Sequence, residues 1–237
     1  MARRAQMPQY VIDAVVAWRG TEHPHADLDP STTALIVIDM QNAFMMEGVA
    51  FAFCEAASAI VPNVNRLAEA VRRTGGRVFW IQNSHDEGCL DSWSRMHAMA
   101  LPANREKRNT VMEEGTIGHE LWAELDVRPE DQAVQKTRFS AFIQGSSDLP
   151  ERLRSEGFDT VAIAGIVTNV CCESSARDAM MLNFRTIMIS DACAAFNADE
   201  HQAALVSFYR TFGDVMETEF LISCLERNAS TASETPA

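Results

Sequence analysis

Ala34-Leu35-Ile36-Val37-Ile38-Asp39 is the stretch that decides the fold. Five apolar side chains run without polar alternation into a carboxylate. Neither face of such a strand meets water, which is the pattern of a strand inside a parallel sheet covered on both sides. Similar runs follow at Val78-Phe79-Trp80-Ile81, closing on Gln82-Asn83, at 160–164, and at 184–189, closing on Ser190-Asp191. Shorter ones stand at 132–136 and 215–218. Helical patterns separate them. Ile60, Val61, Val64, Leu67, Ala68 and Val71 fall on one stripe, which Gly75-Gly76 ends. Further helices are expected near 92–99, 119–125, 149–155, from about 170 to 182, 199–211, and from 218 to about 226. Strands alternating with helices make an α/β protein with a parallel sheet between two helical layers. Residues 1–30 read as an irregular arm with His23 and His25 exposed, 31–227 as one domain, and 228–237 as a frayed tail.

The chain has 237 residues, enough to bury a large core without disulfide or metal staples. Twenty basic against 33 acidic side chains give a net charge of −13, which argues against a nucleic-acid footprint and against a polybasic membrane-surface role. The first 20 residues have Arg3 and Arg4 but no long apolar core, so they do not read as a signal peptide, and no apolar run reaches the roughly 20 residues of a membrane span. The six cysteines, Cys54, Cys89, Cys171, Cys172, Cys193 and Cys224, form neither a CxxC pair nor a finger pattern. The expectation is a cytoplasmic protein with reduced thiols, one of them available for chemistry.

In sheets of this kind ligands sit beyond the carboxyl ends of the strands. Asp39 closes the first strand, Asn83 the second and Lys136 the third, while the fourth runs through Gly165-Ile166-Val167-Thr168-Asn169-Val170 into Cys171 at the start of a helix. A helix N-terminus and a nearby ammonium both favour thiolate, so the Cys171 pKa is expected to fall. Asp39 is placed to take the thiol proton and pass it to a leaving amine, and the backbone N–H groups before Cys171 to hold an oxyanion.

Three segments also carry a resemblance. Ile36-Val37-Ile38-Asp39-Met40-Gln41-Asn42-Ala43-Phe44 resembles the first-strand signature of the isochorismatase-like cysteine hydrolases. Lys136-Thr137-Arg138-Phe139-Ser140-Ala141-Phe142 resembles their lysine segment, and Gly165 through Ala179 their nucleophile loop. The resemblance implies a doubly wound (Rossmann-like) six-stranded parallel sheet and hydrolysis of an amide or ureide through a thioester-type acyl-enzyme. It places the nucleophile on Cys171 rather than Cys172, the general base on Asp39 and thiolate support on Lys136. It further implies a cis peptide between Ile166 and Val167, with the N–H groups of Val167 and Cys171 as oxyanion donors. Within the family the chain looks most like the ureidoacrylate and N-carbamoyl amidohydrolases, which makes Asn83 a substrate-binding candidate and a homodimer or homotetramer the expected assembly. His85, Asp86 and the more distant His97 lack the spacing of the metal-dependent nicotinamidases, so no metal and no cofactor are expected. A cysteine at 171 speaks against the vinyl-ether chemistry of isochorismatases proper.

Plainer readings stand beside these. A cysteine is more often a small buried hydrophobe than a nucleophile, and Cys54, Cys89, Cys193 and Cys224 are read that way, as is Cys172, which begins a stripe with Ala176 and Ala179. Asn83 alone is common turn chemistry. Phe44, His85, Trp93 and Phe139 line a pocket or simply pack. Glu173, Arg177 and Asp178 read as an ion-pair network. The competing functions are a thiol redox or sensing protein using Cys171 and Cys172, an isochorismatase-type or nicotinamidase-type hydrolase on the same fold, and a non-catalytic binding protein on this scaffold.

Overall fold

The computed structural model describes residues 7–85 and 87–233, without the side chains of Glu87, Cys89, Leu90 and 231–233. Cys89, read above as packing, therefore lies outside the described side chains.

Six parallel strands form one sheet: β1 (Thr33–Ile38), β2 (Arg77–Asn83), β3 (Gln132–Lys136), β4 (Thr160–Ile166), β5 (Arg185–Ala194) and β6 (Asp214–Met216). Their order is β3-β2-β1-β4-β5-β6, so the winding reverses between β1 and β4. That reversal opens a crevice at the carboxyl ends of these two strands. Alternate side chains feed two cores. Leu35, Val37, Trp80, Ala162, Ala164 and Ile189 pack beneath α3 (Ala57–Arg73) and α10 (Thr218–Ser233), where Ile60, Val64, Leu67, Val71, Leu221 and Leu225 meet them. Ile36, Ile38, Phe79, Ile81, Val161, Ile163 and Met188 face the other layer, α7 (Leu149–Ser155), α8 (Glu173–Met181) and α9 (Ala198–Thr211). All six residues of β1 are buried, as their unbroken apolar run requires.

Several expectations need correction. The arm is not irregular: α1 (Gln9–Arg19) is a helix that buries Val11 and Val15 in the second core. Its two isolated apolar anchors are too few to stand out as a stripe. His23 and His25 are half-buried rather than exposed, since His23 Nδ1 meets the buried carboxylate of Asp214 at 3.0 Å and the His25 N–H donates to the same carboxylate at 3.2 Å. The tail is not frayed from 228, because α10 continues to Ser233; Asn228 Nδ2 fastens it to the carbonyls of Ala26 and Leu28 at 3.1 and 2.7 Å. No helix occupies 119–125; that segment is a series of turns bridged to the first strand's exit through Leu121 and Gln41. The helix expected near 92–99 is two short ones, α4 (Glu87–Ser92) and α5 (Ser94–His97), and α6 (Pro102–Val111) follows where no helix was expected. Strand β5 runs five residues past Ile189, and β6 closes at Met216, not 218.

Candidate active site

Three candidate functional side chains converge where the winding reverses. Asp39 leaves β1 with a positive φ of 54°, fixed by its N–H donating to Ile81 O at 2.9 Å and its carbonyl accepting Gln41 N–H at 2.8 Å. The neighbouring β4 can approach only because residue 165 is glycine. Its φ is +112°, and a Cβ there would stand 2.2 Å from Ile38 O and 2.6 Å from Ile38 N. Lys136 ends β3, beside Asn83 in the β2 register. Its Nζ lies 2.8 Å from Asp39 Oδ2 and donates to Arg138 O at 2.9 Å, and both charged side chains are wholly buried. Cys171, with 4% of the residue exposed, stands near enough to the same carboxylate for the two groups to act on each other electrostatically.

The nucleophile turn is wound more widely than an α-helix. Residues Thr168–Cys172 form one π turn that leads into α8, a departure from regular helix often found at functional sites. Val167 O accepts the N–H groups of Val170 at 3.0 Å and Cys172 at 3.2 Å, which flank the N–H of Cys171. The Ile166-Val167 peptide is cis, as the resemblance implies. Two contacts hold this turn from outside. Thr168 Oγ1 pairs with His201 Nδ1 at 2.8 Å, and Ser175 Oγ accepts the Ala141 N–H at 3.0 Å, tying the lysine segment to α8.

The charge states differ from the simple expectation in one respect. Burial raises the Asp39 pKa, with Lys136 and Cys171 opposing. Burial opposes the charge on Lys136, but the Asp39 carboxylate and Cys171 more than offset it and hold the ammonium above the usual lysine range. For Cys171 the expected lowering is overturned: burial, then the Asp39 carboxylate, push the thiol well up, against the pull of Lys136. One anion already sits beside the sulfur, so a second is unfavourable there. The resting cluster is a neutral thiol facing a carboxylate–ammonium pair.

Next to it come residues that follow β1, β2 and β3, together with the segment that holds α4, α5 and α6. Asn83 is buried, its N–H donating to Gln41 Oε1 at 2.8 Å, while its own Oδ1 has no hydrogen-bond partner among the described residues. His85 is buried with Nδ1 3.1 Å from Asn109 Oδ1 and, among the described residues, no partner for Nε2; burial and then Arg108 lower its pKa to about 4, so it is neutral. Phe139 meets Trp93 edge-on at 4.8 Å, and His85 meets His97 at 5.4 Å. Phe44 is buried in the first core and meets Phe51 edge-on at 5.2 Å.

Sequence reasoning missed Arg108 and His97 as neighbours of the site. The signal that points to them is local: α6 carries Arg105, Lys107 and Arg108 against one acid, Glu106, in a chain that is otherwise strongly acidic. Cys172 is core, as expected, with its thiol against that of Cys193, and Cys54, Cys193 and Cys224 are also buried free thiols. Arg177 and Glu173 do pair, at 2.5 Å. Among the described residues no three His, Cys, Asp or Glu side chains converge as a metal-binding group, and no helix is long and apolar enough to cross a membrane.

A doubly wound α/β sheet with cysteine, lysine and aspartate meeting at its switch point is the arrangement expected above for a cysteine hydrolase. The comparisons with known proteins agree, and residues 33–220 match the isochorismatase domain; the chain belongs to the isochorismatase family. Ureidoacrylate amidohydrolase RutB of Agrobacterium fabrum strain C58 is 33% identical over 191 residues, 76% of this chain and 83% of that protein. The RutB of Caulobacter vibrioides strain CB 15 is 33% identical over 204 residues, covering 81% and 90%. Among solved structures, a cysteine hydrolase from Pseudomonas syringae pv. phaseolicola 1448A superposes with a TM-score of 0.77 at 27% identity, over 85% of this chain and 96% of that one.

Proposed function

We propose that this chain cleaves the C–N bond of a small amide or ureido (N-carbamoyl) compound through an acyl-enzyme on Cys171. The observation that carries this reading is the buried Asp39–Lys136 ion pair, 2.8 Å across, at the strand ends where the buried Cys171 also lies. Asp39 takes the Sγ proton as sulfur attacks the substrate carbonyl carbon. Because the resting thiol is neutral, deprotonation and attack go together rather than from a stored thiolate. Lys136 stays charged and keeps the carboxylate from binding its proton too tightly. The N–H groups of Val167 and Cys171 take the developing oxyanion. The C–N bond then breaks, and Asp39 returns the proton to the departing nitrogen. Water, deprotonated by Asp39, attacks the thioester, and the proton goes back to sulfur as the acid or carbamate leaves. Asn83 Oδ1, without a hydrogen-bond partner among the described residues, is a suitable acceptor for a substrate N–H, and His85, Phe139 and Phe44 are the further residues assigned to substrate contact.

A panel of ureides and primary amides, ureidoacrylate included, assayed by ammonia release tests the reading. Turnover of at least one member, with a mass increment on the Cys171 peptide in rapidly quenched samples, is the expected result. No turnover across the panel and no adduct would overturn it. The thiol redox alternative gains nothing from Cys172, whose neighbour is Cys193 in the core.

The buried free thiols suit a cytoplasmic, reducing setting. A homodimer or homotetramer is expected to cover the exposed Trp18, Met99 and Leu101, which are 87%, 82% and 71% accessible. Light scattering on the eluting protein should give a mass of two or four chains, and a monomer would contradict this.

A further inference from the structure

His201 reaches the nucleophile turn from another helix. Thr168, the first residue of the π turn, is wholly buried, and its Oγ1 lies 2.8 Å from Nδ1 of His201 on α9. That hydroxyl is the turn's polar tether to α9. Val170 carries no polar side-chain atom, and Asn169 Oδ1 has no hydrogen-bond partner among the described residues. Backbone bonds close the turn on itself: the Glu173 N–H donates to Thr168 O and Val170 O, and the Val170 and Cys172 N–H groups donate to Val167 O. Such bonds set the winding of the turn, whereas its tilt depends on a contact with a second element. The α9 end of that contact is firmly held. Asn197 caps the helix by accepting the Glu200 N–H at 2.8 Å, and the His201 N–H donates to Asn197 O at 3.2 Å. His201 also heads the stripe continued by the buried Ala204, Leu205 and Phe208, the i, i+3, i+4, i+7 spacing of a core-facing surface. The ring is neutral, because burial lowers its pKa against the opposing influence of the Ser190 backbone. A backbone group that favours the charged ring presents its carbonyl, so a ring N–H points there and Nδ1 is left to accept the Thr168 O–H.

Resting on the amidohydrolase reading, we infer that His201 is a positioning residue: by accepting the Thr168 O–H it fixes the tilt of the nucleophile turn, and with it the aim of the Val167 and Cys171 N–H groups at the oxyanion. Thr168 directly follows Val167 and stands three residues before Cys171, within one turn of both donors. Aim matters for such donors. Their hydrogen bonds strengthen as charge builds on the substrate oxygen and weaken steeply when misdirected. Charge develops on the same oxygen in acylation and in deacylation, so a loosened turn slows both steps. His201 acts through Thr168 rather than on substrate or sulfur, so substrate affinity is little changed by its loss.

Variants that remove or keep the bond provide the test. His201→Leu and Thr168→Val each delete one side of it with little change in volume, whereas His201→Asn returns an amide oxygen to the place of Nδ1. For the panel member that turns over best, kcat is expected to fall about 10- to 100-fold in His201→Leu and in Thr168→Val, with KM within about threefold of wild type. The double variant should be no slower than the worse single one, because the two groups act as a unit. His201→Asn should recover most of the loss. An unchanged kcat, a loss carried by KM, or a loss that His201→Asn fails to recover overturns the inference. Two probes of Cys171 read the turn without hydrolysis. Iodoacetamide gives its carbon to sulfur with loss of iodide and builds no oxyanion, so labelling of the Cys171 peptide should keep its rate within about threefold across the variants. Propanal does build one: sulfur bonds the carbonyl carbon, the thiol proton passes to Asp39, and the C=O electron pair moves onto oxygen. Its protection of Cys171 against iodoacetamide should weaken about tenfold in His201→Leu and Thr168→Val and return in His201→Asn. Protection that is absent from the wild-type protein, or that the variants leave unaltered, overturns the inference. So does an alkylation rate that falls in step with kcat, which would mark a structural role alone. Absence of turnover across the panel, with protection still dependent on His201, overturns the hydrolase reading and leaves the positioning role standing.

Discussion

Cys171→Ala is expected to abolish turnover, by on the order of 10⁵-fold, while the protein still folds. The size follows from the mechanism. Without sulfur no acyl-enzyme forms, and the remaining machinery, Asp39, Lys136 and the backbone donors of the π turn, can only assist direct attack by water. Cys171→Ser should be nearly as damaging, because the hydroxyl proton is far harder to remove than a thiol's and the assigned base, Asp39, is unchanged. Cys172→Ala is the control. It removes a fully buried sulfur from the core beside Cys193 and is expected to cost about 1–2 kcal/mol of stability, as small cavities do, yet to keep activity within a few-fold. Circular dichroism and urea unfolding monitor the fold, and ammonia release monitors the chemistry. If Cys171→Ala hydrolysed the substrate at a normal rate, or if Cys172→Ala were the inactive variant, the nucleophile would be misassigned.

Much of this site could be read from the chain because parallel strands write it there. Asp39 directly follows β1, Asn83 and Lys136 are the last residues of β2 and β3, and the parallel pairing brings those ends side by side. Gly165 is legible for the same reason, since a backbone that must pass Ile38 so closely has no room for a side chain. What escaped notice depends on distant partners. α1 buries two apolar residues against α9, a contact separated by almost the whole chain, so its local pattern is weak. The turns at 119–125 look helical in composition but are pinned by tertiary bonds, with Asn42 N–H donating to Glu120 O at 2.9 Å and Trp122 N–H to Met40 O at 2.9 Å. The thiol's acidity was misjudged because helix and lysine are visible in sequence, whereas the burial that outweighs them belongs to the folded state. Arg108 had no motif, and only the fold brings the rings of Phe51, Trp93 and Phe139 around it.

Separating the Asp39–Lys136 pair should have the largest effect on stability and nearly the largest on rate. Both side chains are 0% exposed and 2.8 Å apart, so removing either leaves an uncompensated charge in the core, at a cost of about 3–5 kcal/mol. Asp39→Asn should also reduce kcat by roughly 10²–10⁴-fold, the usual contribution of a general base. Lys136→Met acts differently, because the base survives but loses the cation that keeps it ionised. Burial already raises the Asp39 pKa above its ordinary 3.8, so the acid limb of kcat/KM in the wild-type protein should lie above the usual carboxylate range. In Lys136→Met it should move further up, and activity should return as pH increases. Lys136 has a native pKa above its unfolded value of 10.5, so its stabilising contribution is complete at neutral pH and is lost only as pH rises beyond that value. The double variant Asp39→Asn, Lys136→Met removes both charges at once and is expected to be markedly more stable than the sum of the single losses predicts. Urea unfolding of the four proteins gives the coupling energy. Additive losses, or an acid limb that stays put in Lys136→Met, would mean that the pair is neither a stabilising unit nor the device that tunes the base.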